Sequence, residues 1–320
     1  MKKITLLFML FCIALSSTAQ KKDSDKTIAD TVKHWKKGGI TTLNFSQSSF
    51  TNWASGGENA VSGTALVSLF ACYKDTNNIW DNSVNLGYGL LQSGTAGIRK
   101  NEDKIDISST YGRYAFYKHW YYSALVNFKS QFTNGYNYPD DSTVVSSFMS
   151  PGYLTGAIGL EYKTTDNSFS FFVSPLTSKT TFVNDQHLAN AGAYGVQAAK
   201  YDTVGGSYVI VQKGKTVLNQ FGGYVRLTYK KDIMKNVNLN TKVEVFSNYL
   251  KNPQDLYVNW ELLLAMKINK FLVSSISTQM LYDQNIPIPV ERTIDGIKVM
   301  GTGPRLQFKE VVAIGLSYKF

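Results

Sequence analysis

The chain has 320 residues, 43% of them hydrophobic and 18% charged, with 20 Tyr, 18 Phe and 5 Trp and a formal net charge of +10. Two cysteines are too few for a disulfide framework or a cysteine-built metal site. The basic residues are dispersed rather than gathered on one segment, which argues against nucleic acid as a partner.

The first elements concern export. Lys2 and Lys3 precede an apolar run, Ile4 to Leu15, and Ser17-Thr18-Ala19 offers small residues for cleavage. Residues 1–19 therefore read as a secretory signal peptide, since the run is too short to span a bilayer comfortably. Cys12 follows Leu10 and Phe11, which are too bulky for a lipoprotein cleavage box. Without the leader, thirty-one basic residues face twenty-three acidic ones, a net +8, and Cys72 is the remaining cysteine. Residues 20–37 read as a polar periplasmic lead with one amphipathic turn near Ile28–Trp35. The remainder, 38–320, reads as a single β-domain.

Twelve strands are expected there: Ile40–Ser46, Ala60–Tyr73, Ile79–Gln92, Lys104–Phe116, Trp120–Gln131, Tyr153–Lys163, Ser168–Thr177, Val217–Lys230, Val237–Tyr249, Leu256–Lys267, Phe271–Tyr282 and Leu306–Phe320. Several alternate between apolar and polar residues, as strand geometry requires when one face is greasy. Val237, Leu239, Thr241, Val243 and Val245 oppose Asn238, Asn240, Lys242 and Glu244; Val258, Trp260, Leu262 and Leu264 oppose Asn259 and Glu261. Arg113 and Glu310 fall on the apolar parity of their strands, which a β-bulge in each would repair. The links alternate in length: short turns such as Tyr117–His119 at one end, and long ones such as Phe132–Gly152 and Ser178–Thr216 at the other. All seven prolines lie in the long links or, for Pro175, near them, where no ladder hydrogen bond is lost. Tyr208–Val211 and Thr216–Leu218 read as a hairpin about Lys213-Gly214. Aromatics fall at both strand ends: Tyr73, Trp80, Trp120, Tyr162, Phe169 and Phe271 at the turn end, and Tyr88, Tyr153, Phe246, Tyr249, Tyr257, Trp260 and Tyr282 at the loop end. This is the plan of an outer-membrane β-barrel with periplasmic turns, extracellular loops and interfacial aromatic girdles. Leu316, Tyr318 and the final Phe320 share the greasy parity of the closing strand and fit an insertion signal read by the barrel assembly machinery.

The segment from Phe45 through Phe50, Asn52-Trp53-Ala54-Ser55-Gly56-Gly57-Glu58-Asn59 to Gly63 resembles the N-terminal motif of an uncharacterised outer-membrane barrel family of the Bacteroidota, known only as a domain of unknown function. The resemblance implies a barrel and an envelope location and assigns no reaction. Physically, Gly56 and Gly57 permit positive backbone dihedrals, Asn52 and Asn59 can cap a turn, and Phe50 and Trp53 can pack over a barrel mouth.

Catalytic and metal motifs are not found. His34, His119 and His187 are isolated, and no HExxH, CxxC, GxSxG or P-loop spacing occurs. Asp185-Gln186-His187 has the Asp-x-His spacing of omptin-like barrel proteases, but the matching Asp-x-Asp pair is missing. No cofactor is expected. Parity points Lys129, Glu161, Arg226, Lys242, Glu244 and Glu261 inward, with Arg226, Glu244 and Glu261 on three successive strands. Charges facing lipid cost about 2–4 kcal/mol at the midplane for Arg or Lys, which supports that direction. The expectation is a twelve-stranded outer-membrane barrel, not an enzyme, embedded in lipid and lipopolysaccharide. Its role is a narrow pore or binding barrel for small polar solutes, or alternatively a non-conducting accessory barrel of an envelope complex.

Overall fold

The computed structural model describes residues 34–49, 58–204, 207–286, 288–294 and 297–320. Twelve antiparallel strands close into a barrel: β1 (Trp35–Ser48), β2 (Ala60–Lys74), β3 (Asn78–Ser93), β4 (Arg99–Tyr114), β5 (Trp120–Ser130), β6 (Gly152–Lys163), β7 (Phe169–Phe182), β8 (Val217–Met234), β9 (Val237–Asn248), β10 (Leu256–Lys267), β11 (Leu272–Tyr282) and β12 (Gln307–Lys319). Each pairs with its chain neighbour, and β1 pairs with β12, so no edge strand is left unpaired. The closing seam is completed by Gly39 and Phe320, whose backbones exchange two hydrogen bonds of 3.0 Å. A side chain at Gly39 would lie 2.6 Å from the Phe320 ring, so the missing Cβ is what lets that ring lie flat on the seam.

The short links are built by residues that tolerate tight backbone. His119, Asn167 and Asn236 each adopt positive φ in a turn. Asp75 accepts from the amides of Asn77 and Asn78, and Asp166 accepts from the Ser168 amide and hydroxyl. Hydrogen bonding, from the Asn78 side chain foremost, holds the Asp75 carboxyl down to about 2. That of Asp166 is held down to about 2 by Thr164 first, with Ser168 contributing.

At the other end the links carry structure of their own. Gly135–Tyr136 pairs with Val144–Ser146, Lys200–Val204 with Ser207–Gln212, and Ile288–Ile294 with Ile297–Gly303. A short helix, α1 (Gln186–Asn190), packs through Val183, Ala189 and Val196. Burial pushes the Tyr194 phenol beside that cluster up to about 12.

Several expectations need correction. β1 starts at Trp35, so the last three residues of the expected lead, Trp35–Lys37, belong to the barrel. The β3–β4 link shrinks to residues 94–98, because β4 begins at Arg99 after a register shift beside Gly89. The hairpin of the β7–β8 link lies at Lys200–Gln212. Gly214 instead donates its amide to Asn190 Oδ1 at 2.8 Å, tying the link to α1. Neither β4 at Arg113 nor β12 at Glu310 contains a bulge. Both side chains simply face outward near strand ends, where headgroups and water accept charge. The signal peptide and motif residues Phe50, Asn52, Trp53, Gly56 and Gly57 lie outside the described residues. Asn59 is described, and its carbonyl accepts from the Gly94 amide.

Outward-facing Val126, Ile158, Val312, Ile314 and Leu316 are 54–66% exposed. An apolar band around a closed barrel is the surface that hydrocarbon, not water, accepts. No helix among the described residues is long and apolar enough to cross a membrane; the crossing is made by strands.

Candidate functional site in the barrel lumen

The inward faces of β4 to β10 hold a neutralised ionic network. Lys104 on β4 meets Glu261 on β10 at 2.9 Å. These strands lie half-way round the barrel from one another, so this pair is a chord through the lumen. Glu244 is the hub: it binds Lys129 directly, accepts from Tyr224 Oη at 2.8 Å and Asn259 Nδ2 at 3.0 Å, and lies 3.7 Å from Lys242. Lys242 also reaches Asp106 and Glu261, each at 3.4 Å. Arg226 sits 3.9 Å from Glu161 and donates to Thr110 Oγ1 at 3.2 Å. Nearer the turn end, Lys163 pairs with Asp81. Packed among the ions is an apolar cluster of Leu125, Ala157, Phe172, Tyr224 and Phe246. The void left beside Lys129 and Glu244 is about 20 Å³, room for a single water.

All six sequence-predicted lumen residues therefore face inward and join this network. Arg226, Glu244 and Glu261, on the successive strands β8, β9 and β10, form no ion-pair ladder with one another: Arg226 turns to Glu161 and Thr110, while Glu244 takes lysines. Sequence reasoning missed Lys104 and Asp106, although both lie on the parity opposite Ile105 and Ile107, the signal that would have found them. It also missed Lys179. Along unbroken alternation from Phe169, Lys179 would face lipid. The register of β7 shifts around Pro175, which cannot donate to the ladder, and the shift turns Lys179 inward. There its ammonium lies 3.6 Å from the Tyr257 ring centroid and 3.7 Å from Asp283.

Three expected girdle aromatics are corrected by the same geometry. Tyr153, Phe246 and Tyr257 point into the lumen and surround Lys179. Phe246 and Tyr257 share the parities of Glu244 and Glu261, so alternation outweighs their place near the strand ends. Tyr88 and Tyr249 do face outward, against Phe132 and Phe221. The turn-end girdle is continuous at Trp35, Tyr73 and Trp80. Leu316, Tyr318 and Phe320 all face outward, with the rings of Tyr318 and Phe320 stacked at 6.1 Å.

The opposite wall, β11, β12, β1, β2 and β3, is built differently. Many of its inward residues are small or hydroxyl-bearing, beside the apolar Phe70: Thr42 bonds Ser317 across the seam, and Ser68 donates to Asn85. Ile40, Leu66 and Val311 point inward yet remain 37–39% exposed, so solvent reaches them. Among the described residues a solvent-exposed lane thus lies between this wall and the Lys104–Glu261 chord. It is crossed near the loop end by a second chord, Lys309 on β12 to Glu102 on β4, at 2.5 Å. Glu102 lies across β3 at Gly87 and Gly89, where a Cβ would sit 3.2 and 3.1 Å from its side chain.

Among the described residues the Asp-x-His spacing does not build a catalytic pair. Asp185 caps α1, accepting from the amides of His187 and Leu188, and its carboxylate is not directed at the His187 ring. Among the described residues no group of His, Cys, Asp and Glu is placed to hold a metal ion.

Fold and lumen together define a transmembrane β-barrel with a half-filled interior. Residues 45–136 match the model of a family described as a protein of unknown function, DUF3078. No curated protein matches the sequence. Solved structures similar to the chain include an outer membrane channel from Pseudomonas putida F1, 12% identical over 93% of this chain and 100% of that one, with a TM-score of 0.38. Another is the translocator domain of the autotransporter NalP from Neisseria meningitidis, 8% identical over 100% and 95%, with a TM-score of 0.32. A third is a mutant of the TodX monoaromatic hydrocarbon channel, 9% identical over 88% of each chain, with a TM-score of 0.28. Scores this low carry nothing about solute or partner, and the fold rests on the strand order itself.

Proposed function

We propose that this chain is an outer-membrane barrel that passes or holds small, uncharged polar solutes in the lane along β11, β12, β1, β2 and β3. The observation that carries the reading is the split lumen. The ions neutralise one another on one side, while inward residues on the other remain exposed to solvent and offer hydroxyls and amides. A lane whose mid-section presents Thr, Ser and Asn exerts little electrostatic preference and can hydrogen-bond a solute that sheds part of its water. The envelope of a Bacteroidota bacterium, a cleaved leader at 1–19 and lipopolysaccharide around the loop end belong to the same proposal. The test is planar-bilayer recording with the full barrel. Small steps with weak ion selectivity, reduced in a size-dependent way by added neutral sugars, support it. A folded barrel with no conductance and no solute retention sinks it in favour of an accessory barrel docking through its loops.

The topology is checked by labelling. In a Cys72→Ser background, Asn137→Cys in a loop is expected to react with an impermeant maleimide on intact cells, and Lys235→Cys in a turn to react only after lysis. The reverse pattern would invert the barrel.

The insertion role of Leu316, Tyr318 and Phe320 is tested by Phe320→Asp. Little folded barrel should reach the outer membrane with that change, whereas Phe320→Trp, which keeps an aromatic against Gly39, should assemble. Equal outer-membrane levels of the two would dismiss the signal.

A further inference from the structure

We propose that the turn end of the barrel is a docking face for anionic phospholipid headgroups of the leaflet it meets. The argument begins with where the charge lies. Over residues 34–320, twelve basic residues and five acidic ones lie in the short turns or within four residues of the strand ends that meet them, and everywhere else fifteen basic residues face fifteen acidic ones. The excess positive charge of the barrel is therefore confined to one rim.

Six of the twelve lie outside the lumen. Lys37, Arg113 and Lys231 face outward, as their pairing with Ala71, Tyr122 and Leu239 requires. Lys118, Lys235 and Lys270 lie in turns. Lys36, Lys74, Lys230, Lys267 and Lys319 fall on the inward parity of their strands towards the mouth of the lumen, and the twelfth, Lys163, pairs with Asp81. The eleven others, Lys163 apart, are exposed, and none of them forms an ion pair with another described residue. The five acids are engaged locally: Asp75 and Asp166 close their turns, Asp232 accepts from Asn238 Nδ2, Asp81 holds Lys163, and Glu161 faces Arg226.

The second observation is the height of this rim. Trp35, Trp80, Phe271, Tyr318 and Phe320 are exposed beside these cations, and such a belt settles at headgroup level. Lys37 shows the arrangement directly, with its ammonium 5.7 Å from the Trp35 ring centroid. Phosphates are thus the groups these ammonium ions meet in a bilayer. A net positive rim favours lipids that carry a net negative charge over zwitterionic ones, because a clustered basic surface feels the whole leaflet's charge. Screening by salt then weakens that preference. The inference needs only the membrane setting and stands whether or not the lumen conducts.

The test uses the full barrel reconstituted in equimolar phosphatidylcholine and phosphatidylglycerol, with the retained lipids read by native mass spectrometry. The wild type is expected to retain phosphatidylglycerol several-fold over phosphatidylcholine, with the ratio falling as salt rises. A variant carrying Lys37→Gln, Arg113→Gln, Lys118→Gln, Lys231→Gln, Lys235→Gln and Lys270→Gln should bring the ratio to unity while its gel heat-shift is unchanged. Lys200→Gln with Lys213→Gln and Lys251→Gln, at the loop end, should leave it as in the wild type. Equal retention of both lipids by the wild type overturns the proposal. So does undiminished enrichment in the six-site variant, or a rim that binds soluble poly-glutamate while showing no lipid preference. The last result would point to an acidic protein partner.

Discussion

Glu244→Leu is expected to cost the barrel about 3–5 kcal/mol, the range for breaking a buried ion pair from one side. The carboxylate is 4% exposed and holds Lys129, Tyr224, Asn259 and, more distantly, Lys242. Removing it leaves Lys129 without its ion-pair partner inside a closed wall, and desolvation of that charge supplies most of the loss. Glu244→Gln keeps the shape and some hydrogen bonds and should cost less. Glu244→Leu combined with Lys129→Met should recover much of the deficit, because neither charge is then stranded. Urea titrations of the folded-band fraction on gels would show this ordering. A single mutant as stable as the wild type would mean that the network fills the lumen without holding it together.

The second large effect concerns the lane. Lys309→Ala and Glu102→Ala are each expected to raise single-channel conductance several-fold, since their chord crosses the loop end of the solvent-exposed wall. The pair is partly exposed, so its loss should scarcely move stability. Swapping the two, as Lys309→Glu with Glu102→Lys, should restore the bar and the low conductance. Removing Lys163, whose chord to Asp81 runs from β6 to β3 past β4 and β5 near the turn end, should leave conductance alone. If all of these variants record like the wild type, the lane is not the conducting route.

Much of this architecture is legible because strand geometry is local. A period of two assigns each side chain to one face, so alternation placed all twelve strands and turned Lys129, Glu161, Arg226, Lys242, Glu244 and Glu261 inward. Link lengths and proline positions fixed which end carries the turns, because short links leave no freedom of topology and proline has no donor to lose. Local reading failed where alternation itself was interrupted. The register shift at Pro175 reverses the faces of β7 and brings Lys179 into the lumen, and no residue count reveals that a bulge has formed. Tyr153, Phe246 and Tyr257 failed in the other direction, because an aromatic near a strand end suits either a girdle or a lumen.

What the tertiary structure alone decided is who meets whom across the barrel. Lys104 and Glu261 are far apart in sequence and half a barrel apart in strand order. Their meeting depends on closure, strand number and register at once. The same holds for Lys309 with Glu102, and for the division of the lumen into an ionic half and an open hydroxyl half. Periodicity assigns a face to each residue by itself. A chord is a property of two residues on strands that do not touch, so it exists only once the sheet has closed.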